Sequence, residues 1–506
     1  MRRNVGILFS YVSVIVTMIS GLVLSSFLLK TLGNTEYGLY QTISSFANYL
    51  VLFEFGTGTV MTRNISLCMS SSDDLNRKEN INKSYSTVFF ISIVLSVLIF
   101  IVSMLFYFCI DTIYSNTMTL QQINYAKRIF VFLTVYIIVS YLTQTFNGFL
   151  LGVEEYSFAK IVSILRIVLR TVLIIVIIFF CRYAIIIAVI DMILSILALF
   201  ITFIYCRGKY KVKLSFRYFD KKIFKMSIPL CLALLLQTVT TQANSNVDKF
   251  VIGIMMSLES VTVYSVAQYI YSIFSNAVTI PASMYMPEIS KNIAKGLKGK
   301  QLTETLIQPC RLTALIGGTI MCGFLAVGKQ FISVLYGEDK VIAWIYALII
   351  IVPMFVNMTN SVIINILDII NKRLVRSLAL LGTTIANIIL TVVLIGELGI
   401  IGAVIATAVT MIIGNIILLN VYYQKKLGIK VIYLFFHAYK GILIFQFLSG
   451  VIVFFIAQLF TYDIIAFLVG GILYLALSFS LIAIFGLNDY EKNKLEVFIN
   501  KFKRKK

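Results

Sequence analysis

The sequence is poor in charge, in proline and in histidine. Only 13% of its 506 residues are charged, and it has five prolines and one histidine, whereas about 25% of a soluble domain is charged. Hydrophobic residues make up 59% of the chain, and the mean hydropathy is +0.95. The hydrophobic core of a soluble protein stops growing at about 250–300 residues, so soluble domains could not bury this much apolar surface. We therefore predict an all-α integral membrane protein, with lipid as the solvent for most of the chain.

The sequence also lacks the short motifs of enzymes and metal sites. Its seven cysteines show no CxxC or metal-ligand spacing, and most lie in apolar segments, where cysteine behaves as a small hydrophobe. No GxxxxGK[ST] phosphate loop, HExxH or GxSxG is present. The segments between apolar runs are too short for a catalytic domain. We predict no catalytic residue, no metal site and no cofactor, except a coupling proton or sodium ion.

Apolar runs long enough to cross a bilayer recur along the whole chain. A helix needs about 20 apolar residues to cross the hydrocarbon core. The pattern predicts 14 spans, near 6–29, 42–62, 86–108, 129–152, 161–181, 184–205, 227–253, 258–286, 305–334, 341–366, 377–396, 400–422, 441–460 and 464–486. The first run is longer than the apolar part of a signal peptide and no cleavage site follows it, so we interpret it as a retained span.

The basic residues sort by membrane side. The formal net charge is +21, and all but seven of the 43 basic residues fall on the cytoplasmic side if both termini are cytoplasmic. This agrees with the positive-inside rule. The charge is therefore a topology signal that also attracts anionic membrane lipids, and nucleic acid is not expected as a partner.

Two halves of the chain resemble each other weakly. The largest cytoplasmic loop, 206–226, separates six spans from eight, and the segment 32–40 aligns with 256–264, which places Tyr40 on Tyr264. Six is an even number, so the repeats are parallel, and transporters built from repeats bind substrate at the repeat interface. The alternative is a channel or scaffold with accidental similarity.

This interpretation predicts two six-helix lobes around a central cavity and two additional C-terminal helices. The predicted organisation is an N-terminal six-helix lobe at 1–206, a basic cytoplasmic loop at 207–226, a C-terminal six-helix lobe at 227–423, two additional transmembrane helices at 424–486 and a basic cytoplasmic tail at 487–506.

Two arginines lie inside the fifth predicted span. Arg166 and Arg170 are one helical turn apart and share a face. Guanidinium groups bind phosphate oxygens in bidentate fashion, so this face predicts a substrate site for a diphosphate. The alternative is that the arginines extend to the cytoplasmic headgroups, which is easier for Arg166 than for the deeper Arg170.

The seventh predicted span is unusually polar. Ten of the 13 residues at 237–249 are polar, and such a face is untenable against lipid. We predict that it lines an aqueous cavity and binds sugar hydroxyls. The residues assigned to substrate binding are Gln237, Thr241, Asn244, Asp248 and Lys249. The alternatives are hydrogen bonding between helices and, for the last two residues, an ion pair near the outer surface.

Two lone acids also fall inside predicted spans. Glu54 in the second span and Asp191 in the sixth are candidates for coupling transport to H⁺ or Na⁺. A structural partner such as a nearby arginine is the alternative for either residue.

Several short motifs follow one another in order along nearly the whole chain. They are LGNTEYGLY at 32–40, FGTG at 55–58 leading to Arg63, SIP at 227–229, DKFVIG at 248–253, YSVA at 264–267, LYG at 335–337, and LG at 398–399 followed by GA at 402–403. In these motifs and their order the chain resembles the polysaccharide repeat-unit flippases of the Wzx type. These flippases belong to the multidrug/oligosaccharidyl-lipid/polysaccharide exporter superfamily.

The resemblance implies a function. Such a flippase moves an undecaprenyl-diphosphate-linked oligosaccharide from the cytoplasmic to the outer leaflet of the bacterial cytoplasmic membrane, by alternating access, for capsule-like or O-antigen-like polysaccharide. Arg166 and Arg170 would face the diphosphate, and a polysaccharide polymerase and chain-length proteins would be partners. One alternative is a cation-coupled multidrug antiporter of the same superfamily, which usually has twelve spans. Another is a membrane polymerase or glycosyltransferase, which would need a catalytic outer loop.

Overall fold

The protein is built from helices joined by short loops. A computed structural model describes residues 2–70, 77–369, 373–488 and 491–492, and these residues contain no β-strand. A bilayer offers the backbone no hydrogen-bond partner, so each amide must be paired within its own segment, as a helix does. Chain contacts divide the molecule into two compact units, Met1–Thr262 and Val263–Lys506.

The first unit contains seven helices and the start of an eighth. They are α1 (Arg2–Ala47), α2 (Thr57–Ser70), α3 (Arg77–Tyr114), α4 (Leu120–Gly152), α5 (Tyr156–Phe180), α6 (Ile185–Tyr210), α7 (Lys221–Met255) and α8 (Leu258–Met284), with 3-10 helices at Asn48–Glu54 and Phe216–Tyr218. Gly33 interrupts α1 with a φ of 80°, a conformation that glycine adopts without steric cost. The two parts of α1 therefore belong to the first and second predicted spans.

The second unit begins within α8 and contains the remaining helices. They are α9 (Met286–Ala294), α10 (Gly299–Tyr336), α11 (Ile342–Thr359), α12 (Ser361–Ile369), α13 (Arg373–Leu398), α14 (Ile400–Thr410), α15 (Leu419–Leu427), α16 (Val431–Tyr439), α17 (Leu443–Ala457) and α18 (Asp463–Leu481). A 3-10 helix at Glu338–Lys340 and π-helical stretches at Met411–Leu418 and Ile482–Gly486 complete it.

Every predicted span falls on helix. Ten described helices are long and apolar enough to cross a membrane, or 11 if the bent pair of α16 and α17 forms one span. The first two predicted spans are counted together as Val12–Met69, and α7 and α8 are not among the ten. The all-α membrane class is confirmed, and the number of 14 stays a prediction. The two compact units divide inside α8. The predicted bounds of the lobes, the loop and the tail stay a prediction.

Each unit has one helix that contacts most of the others. In the first unit α4 packs against α1, α2, α3, α5 and α6, and in the second α10 packs against α11, α16, α17 and α18. Gln446 of α17 is fully buried. Its Nε2 donates to the carbonyl of Leu315 at 2.8 Å and to Oγ1 of Thr319 at 2.9 Å, both on α10. Helix α17 is thus bound to α10 by polar as well as apolar contacts.

A buried arginine on α10 holds the ends of those helices. Nε of Arg311 donates to Glu491 Oε1 at 2.8 Å, and Nη1 donates to the carbonyls of His437 at 3.2 Å and Lys440 at 2.7 Å. Its Nη2 donates to the carbonyl of Gly486. These carbonyls lie at the ends of α16 and of the π-helical stretch after α18, where backbone acceptors have no partner in their own helix. Arg311 therefore caps two helix C-termini at once, where a cation is favoured.

We expect Arg311→Gln to destabilise the second unit. The substitution leaves Glu491 and three backbone carbonyls without their charged donor, which costs about 3 kcal/mol or more in free energy of unfolding. Thermal unfolding in detergent measures the loss. Glu491→Gln is the matched control, because it leaves the three carbonyl contacts in place and should cost about 1 kcal/mol. An unchanged melting temperature for Arg311→Gln would contradict the role assigned to the arginine.

Candidate functional site

The two predicted arginines lie on the protein-facing side of α5. Arg166 and Arg170 have the same helical spacing as Ile174 and Ile178, which are fully buried, whereas Val172 is exposed. The helix packs against α1 and α6. The arginine side chains are therefore directed to neighbouring helices of the first unit rather than to surrounding lipid.

Arg170 forms an ion pair with Asp191 of α6. Its Nη2 donates to Oδ2 of Asp191 at 2.9 Å, and its Nε donates to Oδ1. The side chain of Asp191 is 7% exposed and that of Arg170 is 33% exposed. Such bidentate pairing fixes both groups and neutralises both charges. Asp191, a sequence candidate for ion coupling, is thus the counter-charge of Arg170.

Arg166 has no carboxylate partner among the residues described. Its Nη2 donates to Oγ of Ser195 at 2.6 Å, and its guanidinium carbon lies 5.7 Å from the ring centroid of Tyr136 on α4. Ser195 in turn donates to the carbonyl of Asp191 at 2.6 Å. We call Arg166, Arg170, Asp191 and Ser195 the arginine cluster.

The arginine cluster carries one charge that is not neutralised within it. A guanidinium has five N–H donors, and Ser195 uses only one donor of Arg166. An anion can therefore bind Arg166 without displacing a carboxylate, whereas it would have to compete with Asp191 for Arg170. Ser195 and Tyr136 were not predicted from the sequence. The only local signal was that Ser195 follows Asp191 by one helical turn.

Glu54 lies where the second predicted span is interrupted. It ends the 3-10 helix Asn48–Glu54, and the next two residues, Phe55 and Gly56, are left-handed with φ of 52° and 63°. A left-handed phenylalanine is uncommon, because its Cβ crowds the backbone. The half-buried carboxylate of Glu54 makes no hydrogen bond or ion pair with any part of the chain that the structure describes.

A cluster of buried hydroxyls lies beside this interruption. Thr145 Oγ1 lies 3.2 Å from Thr57 Oγ1 and 2.9 Å from Ser92 Oγ. The hydroxyl-bearing side chain of Tyr141 is also buried and interacts electrostatically with Glu54. We call Thr57, Ser92, Tyr141 and Thr145 the hydroxyl cluster. Hard cations prefer oxygen ligands, which the hydroxyl cluster and the Glu54 carboxylate provide. The spacing of these residues in the sequence does not indicate that they meet.

The predicted polar face of the seventh span is described only at its end. The side chains of Gln237, Thr241 and Asn244 lie outside the described part of the structure, so their assignment stays a prediction. Asp248 is buried and interacts electrostatically with Tyr49.

Lys249 does not pair with its neighbour Asp248. Its Nζ donates instead to Oε1 of Gln41 on α1 at 3.4 Å. Consecutive residues of a helix point in different directions, so the ion pair suggested by the sequence does not form.

The chain is similar to a known protein family and to solved structures. The sequence model of the family described as polysaccharide biosynthesis protein matches residues 2–293, more than half of the chain. No curated protein matches the chain.

Solved structures share the fold at low identity. A structure titled lipid II flippase MurJ, inward closed conformation, is 19% identical, with a TM-score of 0.70 over 94% of this chain and 99% of that one. An inward-facing multidrug resistance MATE family transporter of the MOP superfamily is 14% identical, with a TM-score of 0.61 over 83% of this chain and 95% of that one. The chain therefore has the fold of these transporters.

We expect Arg170 and Asp191 to stabilise the first unit as a pair. Arg170→Leu and Asp191→Leu each leave a charge unpaired within the membrane-spanning region. The double variant should lose less stability than the sum of the two, with a coupling energy of about 1–3 kcal/mol. Thermal unfolding in detergent of the four proteins of this cycle gives that energy.

Arg166→Leu is the matched control on the same face of α5. It removes one hydrogen bond and should destabilise the protein less than Arg170→Leu does. Strictly additive effects of the Arg170 and Asp191 substitutions would show that the pair contributes nothing to folding.

Proposed function

The chain belongs to the polysaccharide biosynthesis protein family, and we propose that it is a flippase for a lipid-linked oligosaccharide. In this proposal it moves an undecaprenyl-diphosphate-linked repeat unit from the cytoplasmic to the outer leaflet of the bacterial cytoplasmic membrane, with both termini in the cytoplasm. The transport follows alternating access. The product serves surface polysaccharide synthesis, and a polymerase and chain-length proteins are the proposed partners.

The proposal depends on one observation, which is that Arg166 has no carboxylate partner among the described residues. A diphosphate cannot cross hydrocarbon with its charge uncompensated. The guanidinium of Arg166 lies within the predicted fifth span and has donors free for an anion, and the neutral Arg170–Asp191 pair beside it keeps the cluster in place. The polyprenyl chain can stay in lipid while the headgroup passes through the polar interior of the protein.

The polar residues of α7 are the proposed partners of the glycan. Amide and hydroxyl groups form hydrogen bonds with sugar hydroxyls at little electrostatic cost, as binding sites with a few convergent polar groups do. We assign Gln237, Thr241, Asn244, Asp248 and Lys249 to this role. Lys249 lies close enough to Gln41 that α1 shares the same polar surface.

Glu54 is the proposed coupling residue. Its carboxylate has no hydrogen bond or ion pair with the described residues, whereas Asp191 is bound to Arg170. Its position beside the hydroxyl cluster gives a proton or sodium ion oxygen neighbours, and the left-handed Phe55–Gly56 interruption is a place where the span can change shape. Glu54 is therefore proposed over Asp191 as the coupling site.

We expect Arg166→Gln to lower transport of lipid-linked oligosaccharide at least tenfold without loss of folded protein, because it removes the free cation but only one hydrogen bond. Purified protein in vesicles, with a membrane-impermeant reagent that modifies the glycan in the outer leaflet, measures the rate. Arg182→Gln, which changes an exposed arginine beyond the end of α5, should transport at the normal rate.

Two outcomes of that assay would contradict the proposal. Normal transport by Arg166→Gln would show that the arginine cluster is structural. Vesicles that exchange a drug cation for protons, but do not move the lipid-linked glycan, would identify a multidrug antiporter instead.

We expect Glu54→Gln to uncouple transport from its driving ion. The substitution keeps size and polarity but removes the carboxylate that binds a proton or sodium ion. In vesicles, an imposed pH or sodium gradient should accelerate the unsubstituted protein and leave the rate of Glu54→Gln unchanged. Glu304→Gln, at an exposed carboxylate, is the control and should respond normally. A gradient response retained by Glu54→Gln would move the coupling site elsewhere.

A further inference from the structure

An apolar groove of about 920 Å³ lies on the first unit, between α3 and the beginning of α7. Its lining includes Phe55, Phe90, Val94, Phe216, Ile228 and Leu232. The groove has the volume of a site for a large ligand. Phe216 is 78% exposed and Val94 67% exposed, so the groove is open to the outside of the protein.

One wall of the groove is the segment that joins α6 to α7, and α3 holds this segment in place. The amide of Lys213 donates to Oδ1 of Asn82 at 3.0 Å, and the amide of Asp220 donates to Oγ1 of Thr87 at 2.9 Å. Both of these α3 side chains are buried. Between the two anchors Phe216 stacks on Phe90, with ring centroids 3.9 Å apart. The groove is therefore preformed and is not an accidental gap between lipid-facing helices.

Basic residues follow one another along the segment that forms this wall of the groove and along the first turns of α7. Lys213, Arg217, Lys221, Lys222 and Lys225 are all exposed, and none forms an ion pair with a residue described by the structure. Asp220, the acid among them, is used as the N-cap of α7, where it accepts from the amides of Lys222 and Ile223. Lys221 and Lys225 lie one turn apart on the face of α7 that continues to Ile228 and Leu232.

We infer that this groove binds an anionic phospholipid of the leaflet next to segment 206–226. The acyl chains lie on the apolar lining, and the headgroup phosphate lies among Arg217, Lys221 and Lys225. Cations at the end of a span attract anionic headgroups.

The chemistry of the groove favours a phospholipid over the transported substrate. Its lining is apolar and its rim offers cations. A lipid-linked oligosaccharide needs hydrogen-bond partners for its sugars next to the phosphate, and none of the residues that line the groove has an amide or hydroxyl side chain. Phe55 forms part of the lining, so the bound chains pack against the interrupted second span. The inference is independent of the transport proposal.

Lipid binding by the purified full-length protein tests the inference. Native mass spectrometry and thermal unfolding are measured with added phosphatidylglycerol and with phosphatidylcholine of the same acyl chains. We expect phosphatidylglycerol to bind at least tenfold more tightly and to raise the melting temperature. The triple variant Arg217→Gln, Lys221→Gln, Lys225→Gln should lose this preference. The matched variant Lys291→Gln, Lys295→Gln, Lys298→Gln, which removes three exposed cations of the second unit, should keep it.

A second substitution tests the apolar part of the site. Val94→Trp fills the groove from α3 and should weaken binding of both lipids while leaving the charge unchanged. Equal binding of the two lipids, or equal loss of preference in the two triple variants, would overturn the inference. Displacement of phosphatidylglycerol by an equal concentration of undecaprenyl phosphate would also overturn it and would assign the groove to the substrate's chain.

Discussion

The absence of water from a bilayer interior governs this structure. A backbone amide in lipid has no partner except another backbone group, and so the chain is helical wherever it crosses. Interruptions occur where protein replaces the missing partners. At Phe55–Gly56 the carbonyl of Gly56 accepts from the amides of Thr59 and Val60 at 3.0 and 3.2 Å. At the bend between α16 and α17, the carbonyl of Lys440 accepts from Arg311 at 2.7 Å.

The absence of water also distinguishes charges that stabilise the fold from charges that are proposed to act in transport. Within the first unit Asp191 neutralises Arg170, and within the second Glu491 and three carbonyls surround Arg311. Removing charges from water is costly unless they are paired, so these groups are accounted for by folding. Arg166 and Glu54 have no such compensation from the described residues, and this difference directs the functional proposals to them.

The sequence was sufficient for the helices but not for the contacts between them. Hydropathy located the spans because each depends on about 20 consecutive residues, and helical spacing placed Arg166 and Arg170 on one face. The meeting of Arg170 with Asp191 was one of two open alternatives, since pairing depends on how α5 packs on α6. From the sequence, Arg311 is only one of the basic residues within the predicted span 305–334. Its partners lie more than 100 residues away in the chain, and no local pattern encodes them.

The contacts of Arg311 also limit how this architecture can change in evolution. A chain that lost α16 to α18 would leave a guanidinium on α10 that is 3% exposed at present and has no remaining acceptor. Replacement of the arginine must therefore come before loss of the helices, or accompany it. In the opposite direction, an ancestor that gained these helices could acquire the arginine only after they were in place. Position 311 and the C-terminal helices are therefore expected to change together.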